Sequence, residues 1–173
     1  FDISQTVVLS RADDGILNQS EIQLPDGIKL KTYRQEFRQR FSEGLLSRRI
    51  IIAEGQTETT SLPAVARRLS ELNPTKYSSL ESLGICIIDA GSETKIVPFA
   101  KLYRKLGKRV FALCDKQSEE DKNFIEENVE KLFMHSEKGF ENLVLKNTTT
   151  DAMERYCELL DWPSHLRKKY PHP

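Results

Sequence analysis

The chain has 173 residues, which suits one α/β domain with an appended element and is too short for two large domains. Its 26 basic and 26 acidic side chains cancel, so any DNA contact must come from a local basic patch or from phosphates bridged by metal ions. Three cysteines without CxxC spacing favour free thiols in a reducing compartment, and the lack of a membrane-length apolar run or a signal-peptide pattern predicts a cytoplasmic protein with no membrane partner.

The first 48 residues predict two short strands followed by a helix. The strand-like segments 5–10 and 20–24 flank a turn-rich stretch, which is typical of a loose β-hairpin. Apolar residues then recur at steps of three or four positions from Leu30 onward, which predicts an amphipathic helix ending near Gly44. We interpret residues 1–48 as linker strands and a helix that lead into the main domain.

From residue 49 onward the chain alternates between strands and helices. Strands are predicted at 49–53, 85–88, 109–114 and 131–135, and helices at 62–69, 96–106 and 119–130. Repeated β-α units with right-handed crossovers build an open parallel sheet, so the fold class is α/β, with about four strands flanked by helices. A C-terminal helix over 150–160 and an irregular tail follow. The predicted domains are therefore 49–147 for the sheet and 148–173 for the helix and tail.

Two glutamates follow the first strand of this sheet. The triple isoleucine 50–52 is typical of a strand buried on both faces, Glu54 stands at its carboxyl end, and Glu58 comes four residues later. If a helix begins just after Gly55, this spacing brings both carboxylates within reach of one point. Two like charges so placed need a cation.

The next two strands also end in carboxylates. Asp89 follows the second strand and Asp115 follows the third. The carboxyl ends of parallel strands meet at one edge of a sheet, so these acids are expected to converge with Glu54 at one crevice. Mg²⁺ prefers oxygen ligands of this kind, and two such ions can activate water and stabilise the leaving oxygen of a phosphodiester.

Each acid also has a structural explanation. Glu54 could cap a helix or form a salt bridge, and Glu58 suits the first turn of a helix because of the helix dipole. Asp89 precedes Ala-Gly-Ser and could organise that turn. Asp115 is the acid that turn formation explains least, since it closes a buried apolar run.

Other motifs carry less chemistry. Gly91 and Ser92 could offer backbone donors to a phosphate, but the chain has no GxGxxG or GxxxxGK[ST] pattern, so no nucleotide site is predicted. The histidines at 135, 165 and 172 lack metal-ligand spacing, and solvation or packing explains them better than zinc binding.

Three segments together resemble a known family. The stretches 51–63, 87–92 and 111–115 look like the TOPRIM domain of OLD-family (overcoming lysogenization defect) nucleases. The resemblance covers roughly residues 45–145. Residues 1–48 look like the stretch that joins the ATPase and TOPRIM domains of that family.

The resemblance implies a set of metal ligands. TOPRIM domains hold Mg²⁺ or Mn²⁺ with a glutamate after the first strand and an Asp-x-Asp motif after a later one. These positions match Glu54 and Asp115, and the second glutamate that is typical of the OLD type matches Glu58. All three are therefore expected to be catalytic residues and metal ligands.

The chain departs from the family pattern at Gln117. An amide replaces the second aspartate of Asp-x-Asp and offers a carbonyl oxygen without charge, so it is at best a weak ligand. The acids that could compensate are Asp89, Glu119, Glu120 and Glu141. Glu141 is favoured because it matches a family position after the last strand where an acid recurs, although a surface acid near a turn explains it equally well.

The leading hypothesis is a DNA endonuclease domain that uses one or two Mg²⁺ or Mn²⁺ ions. The expected partners are DNA, an ATPase domain in cis or in trans, and a second copy of the chain. No Walker sequence occurs here, and the chain begins without methionine, so we expect an excised C-terminal portion of a longer protein.

Two other hypotheses remain open. A degenerate TOPRIM domain that binds DNA or a partner without cutting would explain Gln117. A receiver-like domain with Asp115 as the phosphate acceptor would also place carboxylates at strand ends, but it gives Glu54 and Glu58 no role.

Overall fold

The structure is a computed structural model that describes residues 6–11, 14–24, 26, 29–34 and 38–169. The strands are β1 (Val7–Arg11), β2 (Leu17–Glu21), β3 (Arg49–Ala53), β4 (Ile85–Asp89), β5 (Arg109–Cys114) and β6 (Lys131–Met134). The α-helices are α1 (Leu30–Thr32), α2 (Arg38–Leu46), α3 (Gln56–Leu72), α4 (Ile96–Lys105), α5 (Glu119–Glu126), α6 (Phe140–Asn147), α7 (Thr150–Leu159) and α8 (Ser164–Lys169). A short 3₁₀ helix, Glu93–Lys95, precedes α4.

The main sheet is parallel and has the strand order β4-β3-β5-β6. From β3 the chain moves to β4 on one side and then crosses to β5 on the other. The loops after β3 and β5 therefore leave the sheet in opposite directions, which opens a crevice between the two strand ends. The strands β1 and β2 form a separate antiparallel hairpin.

The core lies between the parallel sheet and its helices. Ile50 and Ile52 of β3 are completely buried, as a central strand covered on both faces requires. Helix α4 packs against β3 and β5 and buries the apolar face that contains Phe99 and Tyr103. This packing fixes the central strands and, with them, the positions where the strands end.

A glycine lets α2 approach α4 closely. A Cβ atom built on Gly44 would lie 2.5 Å from the hydroxyl oxygen of Tyr103, which is closer than a side chain permits. The same hydroxyl donates a hydrogen bond of 3.2 Å to the carbonyl oxygen of Phe41, one turn earlier in α2. Gly44 therefore lies inside α2 at a packing contact, and the helix ends two residues later at Leu46, near the predicted end.

The α/β fold, the four-stranded parallel sheet and the flanking helices are confirmed. Several boundaries were wrong: β2 spans 17–21 instead of 20–24, the helix after β5 ends at Glu126, and residues 164–169 of the expected irregular tail form a helix. Helix α6 was not predicted. Residues 35–37 of the expected N-terminal helix, between α1 and α2, lie outside the described residues.

Within the part of the chain that the structure describes, no helix is long and apolar enough to cross a membrane.

Candidate metal centre

An acidic cleft of about 320 Å³ lies at the carboxyl edge of the sheet, where the loops after β3 and β5 part. The residues that line it are Glu54, Gly55, Thr57, Glu58, Gly91, Ser92, Glu93, Asp115, Gly139, Phe140 and Glu141. Five of them carry carboxylates, and no lysine, arginine or histidine is among these described lining residues. The fold thus gathers acids from the segments that follow all four strands of the parallel sheet, as the positions of Glu54 and Asp115 at strand ends predict.

Glu54 lies at the centre of this cleft. Its Oε2 atom accepts hydrogen bonds from the Asp115 backbone N–H at 3.1 Å and from the Gln117 side-chain amide at 3.2 Å. Burial raises the pKa of Glu54, and the negative charges of Asp115, Glu93 and Glu58 raise it further. The carboxylate is therefore held in an environment that disfavours its own charge, which is typical of a functional site.

Glu58 lies in the first turn of α3 and is only 4% exposed. Its Oε2 atom is 3.3 Å from the position that a Cβ atom on Gly55 would occupy, so the glycine leaves room for the carboxylate. No hydrogen-bond donor pairs with this carboxylate among the described residues. The carboxylate lines the cleft beside other acids, and a bound cation would offset their mutual repulsion.

Asp115 is anchored by the loop that follows β6. Its Oδ2 atom accepts a hydrogen bond of 2.5 Å from the Gly139 N–H, and its Oδ1 atom lies 2.9 Å from Nε2 of His135. Gly139 can present its N–H because it adopts φ 91°, a left-handed conformation that favours glycine. The loop after β6 thus determines how this carboxylate is oriented.

Glu141 reaches the cleft from the first turn of α6. Its Oε1 atom accepts a hydrogen bond of 2.8 Å from the Thr57 hydroxyl on α3, which ties the two helices together. Its own backbone N–H and this hydroxyl lower the pKa of Glu141, so it is a stable carboxylate at the edge of the site.

Asp89 is at the same edge of the sheet but is not among the residues that line the cleft. It is 6% exposed, and its Oδ1 atom accepts a hydrogen bond of 2.7 Å from the Gly91 N–H. This bond organises the turn after β4, which is the structural explanation considered for Asp89. The N–H of Gly91 therefore already has Asp89 as its acceptor. The phosphate contact predicted for Gly91 and Ser92 stays a prediction.

The donor set fits a hydrated divalent cation. Among the described residues, no three acidic, histidine or cysteine side chains lie close enough together to form a ready-made metal cluster. Mg²⁺-type ions keep several waters and are commonly held by one or two carboxylates, whereas Zn²⁺ takes three or four direct ligands. Several acids around one cleft, Glu58 among them, match the first kind of ion.

Three residues near the cleft were missed by sequence reasoning. Glu93 lines the cleft and raises the pKa of Glu54, Thr57 bonds to Glu141, and His135 lies beside Asp115. His135 follows β6 directly, so every strand of the parallel sheet ends in a polar residue. That position is the signal in the sequence, because a polar residue directly after a parallel strand lies at the carboxyl edge.

In open parallel α/β sheets, ligands bind in the crevice at the carboxyl edge, and oxygen ligands such as grouped carboxylates suit hard divalent cations. Residues 45–116 match the family model "Overcoming lysogenization defect protein-like, TOPRIM domain". This segment is therefore an OLD-like TOPRIM domain, as the resemblance implied, and that family has a nuclease-type, metal-dependent function in general. No curated protein matches the chain.

Proposed function

We propose that this chain is a metal-dependent DNA endonuclease domain that works with an ATPase domain in cis or in trans. The observation that carries the proposal is the acidic cleft, which Glu54, Glu58 and Asp115 line without a basic side chain among the described lining residues. Without cations these charges would repel a DNA phosphate. With divalent cations the same carboxylates become the means of bringing a phosphate to this edge.

Glu54, Glu58, Asp115 and Glu141 are the residues that would hold Mg²⁺ or Mn²⁺. Such an ion supplies an activated water and neutralises charge on the phosphate. Glu54 occupies the central position, since it bonds to the N–H of Asp115 and repels the charges around it. Thr57 keeps Glu141 turned toward the cleft through their hydrogen bond.

Nicking of supercoiled plasmid DNA in Mn²⁺ or Mg²⁺ tests this function. Glu54→Gln and Asp115→Asn should each lower the rate by at least about 100-fold, because losing a direct ligand costs more than losing an outer partner. Glu126→Gln is the matched control, since this exposed acid on α5 lies outside the cleft. Equal cutting by wild type and Glu54→Gln protein would refute the proposal.

One observation favours a second candidate function, a non-cutting module that binds DNA or a partner. Gln117 donates its amide to Glu54 in place of an additional acid, and the described residues contain no ready-made metal cluster. Calorimetry with Mn²⁺ separates the two functions. Resolvable binding that Glu54→Gln abolishes supports the nuclease, whereas no binding up to millimolar Mn²⁺ supports the module.

A further inference from the structure

His135 is a buried histidine at the carboxyl end of β6. Its side chain exposes only 9% of its surface, and its backbone N–H donates to the carbonyl oxygen of Cys114 on the neighbouring strand. The ring meets the edge of the Phe140 ring, with 6.2 Å between the ring centres. Packing on this side and the backbone bond restrict where the imidazole can lie.

The polar atoms of this ring have no other described partner. Both ring nitrogens of His135 and the Oδ1 atom of Asp115 are buried without a hydrogen bond of good geometry among the described residues. Nε2 and Oδ1 nevertheless lie only 2.9 Å apart. The distance is that of a hydrogen bond and only the angle is poor, so a small rotation of either side chain would complete the bond and satisfy two buried groups.

The other oxygen of Asp115 is held by the same loop. Oδ2 accepts the Gly139 N–H, while Oδ1 faces His135, so residues 135–139 engage the carboxylate on both sides. Once the bond to His135 is completed, both oxygens of the carboxylate are held and its orientation is fixed. The loop then continues into α6, which carries Glu141 into the cleft.

We infer that His135 is a positioning residue that orients Asp115 by donating its Nε2–H to Oδ1. Asp115 remains the group that faces the cleft, and His135 acts through it, since the imidazole is not among the residues that line the cleft. Outer partners of this kind fix the direction in which a ligand points. The inference rests on the proposed metal site, because the role of the orientation is to present Asp115 to a cation.

The hydrogen bond itself can be observed without metal or DNA. Long-range ¹H–¹⁵N NMR of the histidine rings should show a proton on Nε2 of His135, and Asp115→Asn should shift that nitrogen resonance. His165 on α8 is exposed and provides the internal control, whose resonances should not move. An Nε2 atom without a proton, or no response to Asp115→Asn, would overturn the inference.

Metal binding provides the second readout. His135→Leu removes the donor and should weaken Mn²⁺ binding by about 10- to 100-fold, the usual loss for an outer partner. His135→Gln keeps an N–H near the position of Nε2 and should retain most of the affinity. Wild-type affinity in His135→Leu protein, or equal weakening in a folded His135→Gln protein, would contradict a positioning role.

The two proposals fail in distinguishable ways. A wild-type chain that binds Mn²⁺ but never cuts DNA refutes the nuclease and leaves the role of His135 intact. A chain that binds no Mn²⁺ refutes the metal site, and the NMR result alone then decides whether His135 orients Asp115. If thermal unfolding shows that both variants are unfolded, the wild-type and Asp115→Asn spectra still decide the inference.

Discussion

Gln117 donates its side-chain amide to Oε2 of Glu54 over 3.2 Å, across the gap between the ends of β5 and β3. Gln117 stands where the TOPRIM pattern has a second aspartate. Its amide stabilises the negative charge of Glu54. An aspartate at this position would instead add a like charge beside Glu54, which already lies among like charges. Without metal, glutamine at this position leaves less repulsion between the carboxylates around Glu54. It also removes a carboxylate that could have bound the metal ion.

Gln117→Asp should change metal binding and stability in opposite directions. In EDTA the variant loses a hydrogen bond of about 1 kcal/mol and gains a repulsion, so its unfolding temperature should fall. In Mn²⁺ the added carboxylate should tighten binding by at least about tenfold, because carboxylates suit this ion. Calorimetry and thermal unfolding measure the two effects. Gln117→Leu is the control: it should destabilise the protein without any gain in affinity, and an equal gain would contradict the explanation.

Glu54→Gln should stabilise the metal-free protein at neutral pH. Burial, together with the charges of Asp115, Glu93 and Glu58, raises the pKa of Glu54 above its usual value of 4.5. The folded state therefore binds this proton more tightly than the unfolded state. The stability that protonation of Glu54 contributes is fully present below the usual pKa and is lost as the pH rises through the raised pKa.

Thermal unfolding in EDTA checks this pH dependence. At about pH 7.5 the Glu54→Gln protein should unfold a few degrees above the wild type, and near pH 4 the difference should disappear, since glutamate is then largely protonated. Glu126→Gln, which changes an exposed acid, should show neither effect. A lower unfolding temperature for Glu54→Gln at both pH values would contradict the electrostatic argument.

Gly44→Ala should destabilise the fold. The added Cβ atom would lie 2.5 Å from the Tyr103 hydroxyl and 2.8 Å from two ring carbons, and Tyr103 is completely buried. Overpacking of this kind costs about 1–3 kcal/mol, which urea denaturation can measure. Leu46→Ala on the same helix is the matched control, because Leu46 is 91% exposed and should change the free energy of unfolding by no more than about 0.5 kcal/mol. Equal effects of both substitutions would show that α2 does not pack in this way.

Cys86 and Cys114 should resist alkylation in the folded protein. Burial raises the pKa of Cys86 to about 11 and that of Cys114 to about 12, and nearby carboxylates add to both shifts. At about pH 8 only roughly one in a thousand Cys86 side chains is then the reactive thiolate, and fewer of those of Cys114. Mass spectrometry after iodoacetamide treatment should show both thiols unmodified until urea is added. Rapid labelling of the folded protein would mean that these strands open.

The local sequence is sufficient to predict the strands and the edge where they end. Apolar, β-branched runs such as 50–52 have few stable arrangements other than a buried parallel strand, and a polar residue directly after such a run must lie at the carboxyl edge. Glu54 and Asp115 were found in this way. The hairpin was harder, because β2 has the sequence Leu-Asn-Gln-Ser-Glu, and its register is set by pairing with β1 and not by an apolar pattern.

The tertiary structure alone decided what surrounds each acid. The strand order β4-β3-β5-β6 places the end of β3 between those of β4 and β5, yet Asp115 lines the cleft and Asp89 does not, because the Asp89 carboxylate bonds to the Gly91 N–H in its own turn. The partners of these acids, Gln117 and His135, come from loops whose paths depend on packing between distant elements. The sequence by itself determined which residues reach this edge, because the apolar run that forms a strand and the polar residue that ends it are neighbours in the chain. Only the fold determined which of them face one another, because side-chain orientation depends on neighbours far away in the chain.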